Sequence, residues 1–384
     1  MSVPGARPDL VVFSHLRWDW VWQRPQQLVT RLARRRAPTG ARTYFVEEPV
    51  TGPVSEGVLS RVEIDMVTVL RLVLPTAPGR PEFLGFEHPA AADYGVLIAE
   101  FLAEQDRPGG PDTWLFTPMA LGQARSLPGG KLIYDVMDDL TAFHGAAAEM
   151  GEQHRLALAE ADVVFTGGRS LHRAVLHHRE RAVHLFRSGV DRNHYRSAVD
   201  RRPDRRAIPV AGYLGVVDER MDLTLLAELA ERLPEWLLRL VGPVTKIDPS
   251  SLPNAANIDY VGMTSYDELP GVLAGFDVAI MPFAANRATA SISPTKTLEY
   301  LAAGLPVVST PIPDVVADFG DAVSIARDAD QFAAGCRSGL RQERLRRGRR
   351  SDLALLGGEQ LAEQQDVWVG QEWDDIAAAM DSLV

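Results

Sequence analysis

The chain has 384 residues, with 40 lysines and arginines against 51 aspartates and glutamates, a net charge of −11. Hydrophobic residues make up 46% and charged residues 24%, which excludes disordered, collagen-like and coiled-coil classes and leaves a globular chain of about two domains. The acidic balance excludes a general affinity for nucleic acid, and a single cysteine, Cys336, excludes both an internal disulfide framework and a cysteine-cluster metal site.

Residues 9–15 predict a strand, and the QRPQQLVTRLARR stretch a helix with Pro25 near its start. Candidate strands follow at 43–49, 67–75, 112–118, 131–138 and 162–168, with apolar residues spaced every three or four positions between several of them. Strands alternating with helices predict a mostly parallel sheet. The segment 196–208 is polar, arginine-rich and interrupted by Pro203, which makes it the linker candidate. A second alternating series then places strands at 210–217, 236–244, 257–263, 277–283, 305–310 and 322–326. The expected domains are therefore 1–195 and 209–355. Residues 356–384 form a tail with a helix whose Trp368 and Trp373 would anchor it on the first domain.

No apolar run reaches the 18 or so residues of a membrane span, and the N-terminal stretch lacks the basic-then-apolar layout of a secretory signal, so the expected location is the cytoplasm. The basic run 337–350 reads as a solvated helix face. Its alternative is contact with an anionic membrane surface, which would hold the protein peripherally at the inner face.

The window 277–312 is richest in chemistry. It holds a strand, a loop, a helix with Ser293 as N-cap and Pro294 in its first turn, a stop at Gly304 and another strand. Carboxyl ends of parallel strands line the ligand crevice, so the start of this helix, with Thr295 and Lys296, is expected to receive an anion. Glu299 follows Lys296 by three residues on the same face, where its carboxylate could take two hydrogen bonds from the vicinal hydroxyls of a ribose. The plain alternative is a core helix in which Lys296 and Glu299 form an exposed pair.

The SPTKTLEYLAAGLPVV segment resembles the nucleotide-binding signature of retaining GT-B glycosyltransferases. FSHLRWDWVWQRPQQLVTRLA, YDVMDDLTAFHG, ADVVFTGGRSL and GYLGVVDERMDLTLL are similar to a bacterial branch of that group, in order along nearly the whole chain. The resemblance implies two Rossmann-like doubly wound domains facing a central cleft, with the C-terminal helix returning to the first domain. It implies transfer of a sugar from a nucleotide-diphosphate donor, UDP favoured, to the hydroxyl of a glycan, a lipid-linked or a small-molecule acceptor. Neither a metal nor a cofactor is implied.

Position by position, Glu299 matches the ribose-binding second acid of the family's E-x7-E pattern, and Ser291 stands where the first acid belongs. Gly215 matches the glycine-rich loop, and Arg220 is the cation that follows it; with Lys296 and the helix start, Arg220 is assigned to the diphosphate. In the first domain His15 and Asp138 are the candidates for placing the attacking hydroxyl or the donor sugar. Trp18, Asp19 and Arg24 are the candidates for the acceptor, with a packed loop core as the other reading of the tryptophans.

His172, His177 and His178 lack a carboxylate at ligand spacing, so no metal site is expected there. The D-x-D at Asp328 and Asp330 reads as a helix start with Asp330 as N-cap. Two rivals remain for the same chain: a nucleotide-sugar epimerase or sugar-coupling enzyme on the same fold, and a catalytically silent nucleotide-binding subunit.

Overall fold

The computed structural model describes residues 7–105, 109–203, 207–292, 295–355 and 370–384, with the backbone alone for 347–355. The chain divides into two compact units. One comprises Met1–Thr141, Gly145–Arg187 and Trp373–Val384; the other comprises Ala142–His144 and Ser188–Glu372.

In the first unit the strands are β1 (Leu10–Ser14), β2 (Thr43–Glu47), β3 (Val50–Gly52), β4 (Val58–Ile64), β5 (Val67–Pro75), β6 (Asp112–Leu115), β7 (Leu132–Val136), β8 (Val163–Thr166) and β9 (Val183–Leu185). They lie in the order β3-β5-β2-β1-β6-β7-β8-β9, and only β4 runs antiparallel, against β5. In the second unit β10 (Val210–Leu214), β11 (Leu237–Val241), β12 (Ile258–Gly262), β13 (Val278–Met281), β14 (Val307–Ser309) and β15 (Ser324–Ile325) form a wholly parallel sheet ordered β12-β11-β10-β13-β14-β15. Every residue of β1, β2, β10 and β13 is buried, which is why these strands read as mostly apolar runs, with Ser14, Thr43 and Glu47 at the ends of β1 and β2, rather than alternating ones. In each sheet the strand order reverses beside its first strand, between β1 and β6 and between β10 and β13, and these are the switch points where doubly wound sheets hold ligands.

The helix Trp373–Leu383 packs in the first unit against the helix Arg24–Arg36. Trp373, Ile376, Ala377 and Met380 enter that unit's core, while buried Asp381 accepts from Arg36 at 2.9 Å and pairs with Arg7 at 2.6 Å. Arg36 also reaches Asp112 at 3.1 Å, so this guanidinium is paired to two carboxylates inside the unit. Trp368, the other anchor expected, lies outside the described residues.

Three expectations need correction. The segment taken as a linker begins as a helix, Arg192–Asp200, capped by Asp191 and packed inside the second unit through Tyr195 and Ala198. Only two of its nine residues are buried, so its composition looks like that of a connector. Arg202 just beyond it donates to the Ala303 carbonyl at 2.7 Å and pairs with Glu343 at 2.6 Å, and the units divide earlier, at Arg187/Ser188. The cap of the helix Ala329–Leu355 is Asp328, which accepts from the Gln331 N–H at 2.8 Å, whereas Asp330 pairs with Arg232 at 2.7 Å. The pattern does not show β3, β4 and β9: β4 is an edge strand with four of its seven residues exposed, Val58, Arg61, Val62 and Glu63, and β3 and β9 have three residues each.

Candidate functional site

At the switch point of the second sheet, β10 runs into Gly215 and the neighbouring β11 into Gly242, with φ of 140° and 146°, a region open to glycine and strained for other residues. A Cβ on Gly242 would overlap the Gly215 carbonyl, and a Cβ on Gly215 would overlap Cε of Lys296 and stand 2.7 Å from its ammonium. The two loops thus pass backbone against backbone, joined by the Gly215 N–H donating to the Val241 carbonyl at 2.8 Å, and the stem of Lys296 lies on the bare α-carbon of Gly215. Its ammonium is 5.7 Å from the ring centroid of Tyr213, whose hydroxyl donates to the Val216 carbonyl at 2.8 Å and holds the loop. The hydroxyl of buried Tyr300 accepts from the Leu214 N–H at 2.8 Å and donates to the Leu214 carbonyl at 3.3 Å, locking the helix Thr295–Ala302 to the end of β10.

Thr295 and Lys296 occupy the first turn of that helix, and both are half-buried. Ser293 and Pro294, expected as its cap and opening, lie outside the described residues. One turn further on stands Glu299, on a helix against which the helix Arg192–Asp200, carrying Tyr195, packs. Burial pushes the Glu299 carboxyl up to about 7, with Lys296 acting in the opposite sense. Its surface is still partly open to solvent, so the group can meet a ligand. Tyr195 comes from the helix Arg192–Asp200. No spacing rule links position 195 to position 299, and the polar composition around Tyr195 concealed its place in this unit.

The loop after β10 carries Arg220, but its guanidinium grips Asp218, with Nε 2.9 Å from Oδ1 and Nη2 2.6 Å from Oδ2. Asp218 is buried, so much of the charge assigned to a diphosphate is balanced within the loop. Arg220 also lies 5.3 Å from the ring centroid of Phe143, and Lys246, in the left-handed region with φ of 60°, sits 4.4 Å from the same centroid. Phe143 belongs to the second unit. The loop after β13 is tied to the loop after β10 by the Ala284 N–H donating to the Arg220 carbonyl at 2.8 Å. It then folds on itself, Asn286 and Thr289 exchanging side-chain and backbone hydrogen bonds at 3.0 Å each, two residues before half-buried Ser291.

The first unit's candidates separate sharply. Trp18 is in the core, edge-on to Phe45 at 5.0 Å, so it is not the acceptor platform expected. Arg24 is 4% exposed and its Nε donates to both oxygens of buried Asp135, at 3.0 and 3.1 Å; a guanidinium held this way does not serve an acceptor either. Asp19 is exposed, while His15 and Asp138 are half-buried at the ends of β1 and β7. Among the described residues no three His, Cys, Asp or Glu side chains are grouped to hold a metal ion, and no helix is long and apolar enough to cross a membrane.

Two consecutive doubly wound units of this kind are the parts from which the GT-B class is built, and the similar structures show the fold of the chain to be GT-B. Similar structures include the Escherichia coli trehalose-6-phosphate protein bound with UDP-2-fluoro glucose (TM-score 0.61, 13% identity, 97% of this chain and 98% of that one). The UDP-forming α,α-trehalose-phosphate synthase of Burkholderia xenovorans in complex with glucose-6-phosphate gives a TM-score of 0.64 at 12% identity, again over 97% and 98%. WaaG, a glycosyltransferase involved in lipopolysaccharide biosynthesis, gives 0.61 at 15% identity over 98% and 99%. Within this fold, residues 208–342 match the family glycosyl transferases group 1. A stretch of 139 residues is 32% identical to TuaH of Bacillus subtilis (strain 168), whose name assigns it to teichuronic acid biosynthesis as a glycosyltransferase; the match covers 34% of this chain and 35% of that protein. The match thus spans about a third of the length of that relative.

Proposed function

We propose that the protein is a glycosyltransferase of the hexosyl-transferring kind that moves a sugar from a nucleotide-diphosphate donor, UDP-linked, to a hydroxyl acceptor, with retention at the anomeric carbon and without a metal or cofactor. The observation that carries this reading is Lys296 lying on Gly215 at the switch point of the second sheet, with Glu299 one turn further along the same helix. The glycine α-carbons let a diphosphate approach the backbone, and the ammonium supplies the fixed charge that such a group seeks. Glu299 takes the ribose hydroxyls. The domain match and the UDP ligand of a structural relative agree with this choice of donor.

In retaining transfer without a covalent intermediate, the leaving diphosphate gains negative charge as the anomeric carbon becomes cationic. A fixed ammonium at the phosphates therefore stabilises the transition state more than the bound donor. Lys296 carries most of this role, because Arg220 shares its charge with Asp218. Asp19, His15 and Asp138 are assigned to the acceptor and to placing its hydroxyl, and the acceptor itself is a glycan or lipid-linked sugar, as the relatives in teichuronic acid and lipopolysaccharide biosynthesis suggest.

The test has two stages. A nucleoside diphosphate present at 100 times its Kd should stabilise the protein by about 2.7 kcal/mol, so UDP, GDP and ADP are compared by thermal shift. UDP-sugars are then incubated with and without acceptors while UDP release is followed. Failure of every nucleotide to stabilise the protein sinks the reading. One observation favours a second reading, a silent nucleotide-binding subunit: Ser291 replaces a carboxylate in the family pattern and Arg220 is held by Asp218. That reading predicts stabilisation by nucleotide with no turnover of any donor, whereas an epimerase would convert the donor alone.

A further inference from the structure

We infer that β4, with the turn that follows it, is a pairing surface for a second copy of this chain, the two β4 strands lying antiparallel about a two-fold axis at Val62. β4 is paired with β5 along all seven of its residues, and among the described residues no other strand pairs with it. Such an edge presents a row of backbone N–H and C=O groups to any strand that matches it, and proteins commonly blunt it with proline, lysine, a bulge or a covering element. β4 reads VLSRVEI, without proline or lysine, and its register against β5 runs without a shift from Val58 opposite Val73 to Ile64 opposite Val67.

Side chains alternate between the two faces of a strand, so Val58, Ser60, Val62 and Ile64 share one face. Val58 is 45% and Val62 51% exposed, and Met66 in the turn is 55% exposed. On the other face the two charges of the strand are held near the edge. The Arg61 guanidinium lies 4.3 Å from the ring centroid of Phe101 and 4.0 Å from Glu104, and Glu63 accepts from the Thr68 hydroxyl at 2.9 Å.

Directly opposed side chains of an antiparallel pair point the same way, so a two-fold pairing that keeps the apolar faces on one side must centre on a residue. Centred on Arg61 it opposes two guanidiniums, and centred on Glu63 two carboxylates, both unfavourable. Centred on Val62 it sets each Arg61 against Glu63 of the second copy. The two Val62 side chains then meet, Ser60 opposes Ile64, and exposed Val58 is brought to Met66 at the turn of the other copy. Charge and apolar pattern thus select one register, in which this strand is its own complement, and the contact closes as a symmetric dimer.

The full-length protein is followed by sedimentation velocity from low to high micromolar concentration, where a concentration-dependent dimer is expected. Its one cysteine, Cys336, is buried, so an introduced thiol reports without interference. Under mild oxidation Val62→Cys should cross-link into dimers, because the residue on the axis meets itself at about 5 Å. Val58→Cys, similarly exposed, would stand roughly 27 Å from its counterpart and should stay monomeric on a non-reducing gel. Arg61→Glu opposes like charges twice by symmetry and should weaken dimerisation about tenfold or more, while Arg61→Glu combined with Glu63→Arg should restore it. A monomer at every concentration overturns the inference. So does a dimer indifferent to Arg61→Glu, or equal cross-linking by Val62→Cys and Val58→Cys, since each places the contact elsewhere. Should Arg61→Glu unfold through its lost contacts with Phe101 and Glu104, Val62→Lys, which sets two ammonium groups on the axis, is measured instead and the same outcomes decide.

Discussion

The two sheets reverse direction at equivalent places, yet their strand ends are furnished in opposite ways. At the end of β2 in the first unit, buried Glu47 accepts from the Trp18 N–H at 2.7 Å and binds both Arg17 and Arg71, and in β7 Asp135 is closed off by Arg24. Desolvation raises the Asp135 carboxyl and Arg24 pulls it back down, the pattern of a buried pair that holds the unit together. At the end of β10 in the second unit there are bare glycine α-carbons, a lysine laid across one of them, and a carboxyl pushed up to about 7. One topology thus yields strand ends that serve stability and strand ends that keep ionisable groups available, and perturbed groups of the latter kind gather at functional sites.

The largest effect should come from breaking the first pattern. Arg24→Ala leaves Asp135 buried without its partner and should reduce stability by about 3–5 kcal/mol while the folded protein keeps its nucleotide affinity; urea unfolding and calorimetry read the two quantities. Gly215→Ala attacks the second pattern. Backbone strain at φ of 140° and the collision with Lys296 should destabilise the protein by roughly 2–3 kcal/mol and weaken nucleotide binding at least about tenfold. Normal UDP affinity in that variant would show that the glycine cradle is not the phosphate site.

Lys296→Ala separates binding from catalysis. Turnover should drop about 100-fold, close to 3 kcal/mol, with a smaller loss in nucleotide affinity. Equal losses in both quantities would contradict a transition-state role for the ammonium.

The smallest effect concerns pH. The folded Glu299 carboxyl, at about 7 against an ordinary 4.5, keeps its proton between those values while the unfolded chain has released it. Its contribution to stability is therefore complete below 4.5 and declines as pH rises through 7. Ribose binding needs the carboxylate and carries the opposite sign, strengthening over the same rise. Lys296 on its own helix and Tyr195 on the neighbouring one face this carboxyl, with Tyr266 and Asp191 beyond Tyr195. UDP affinity should increase about threefold to tenfold from pH 6 to 8 in wild type, and Glu299→Gln should flatten both this slope and the matching decline in melting temperature. A slope retained in the glutamine variant would assign the titration to another group.

Much of the second unit could be read in advance because fully buried strands appear as apolar runs and the Lys296-to-Glu299 spacing is local to one helix. Trp18 and Arg24 were misjudged for a common reason: both follow β1 at a crevice position, but the partners that bury them, Phe45 and Asp135, are distant in sequence. Arg220 was read as a cation for a phosphate although Asp218, its partner, stood two residues away. Spacing alone does not say whether neighbouring opposite charges meet.

Local pattern determined the alternation of strands and helices, the six strands of the second sheet, and the helix that brings Lys296 and Glu299 to one face, since each depends on residues a few positions apart. Tertiary structure alone decided that the arginine-rich stretch after Asp191 is a helix of the second unit, that this helix packs on the one carrying Glu299, and that Lys296 rests on Gly215. Those contacts join residues separated by about 80 to 100 positions, and only the packing of helices against the sheet brings them into reach.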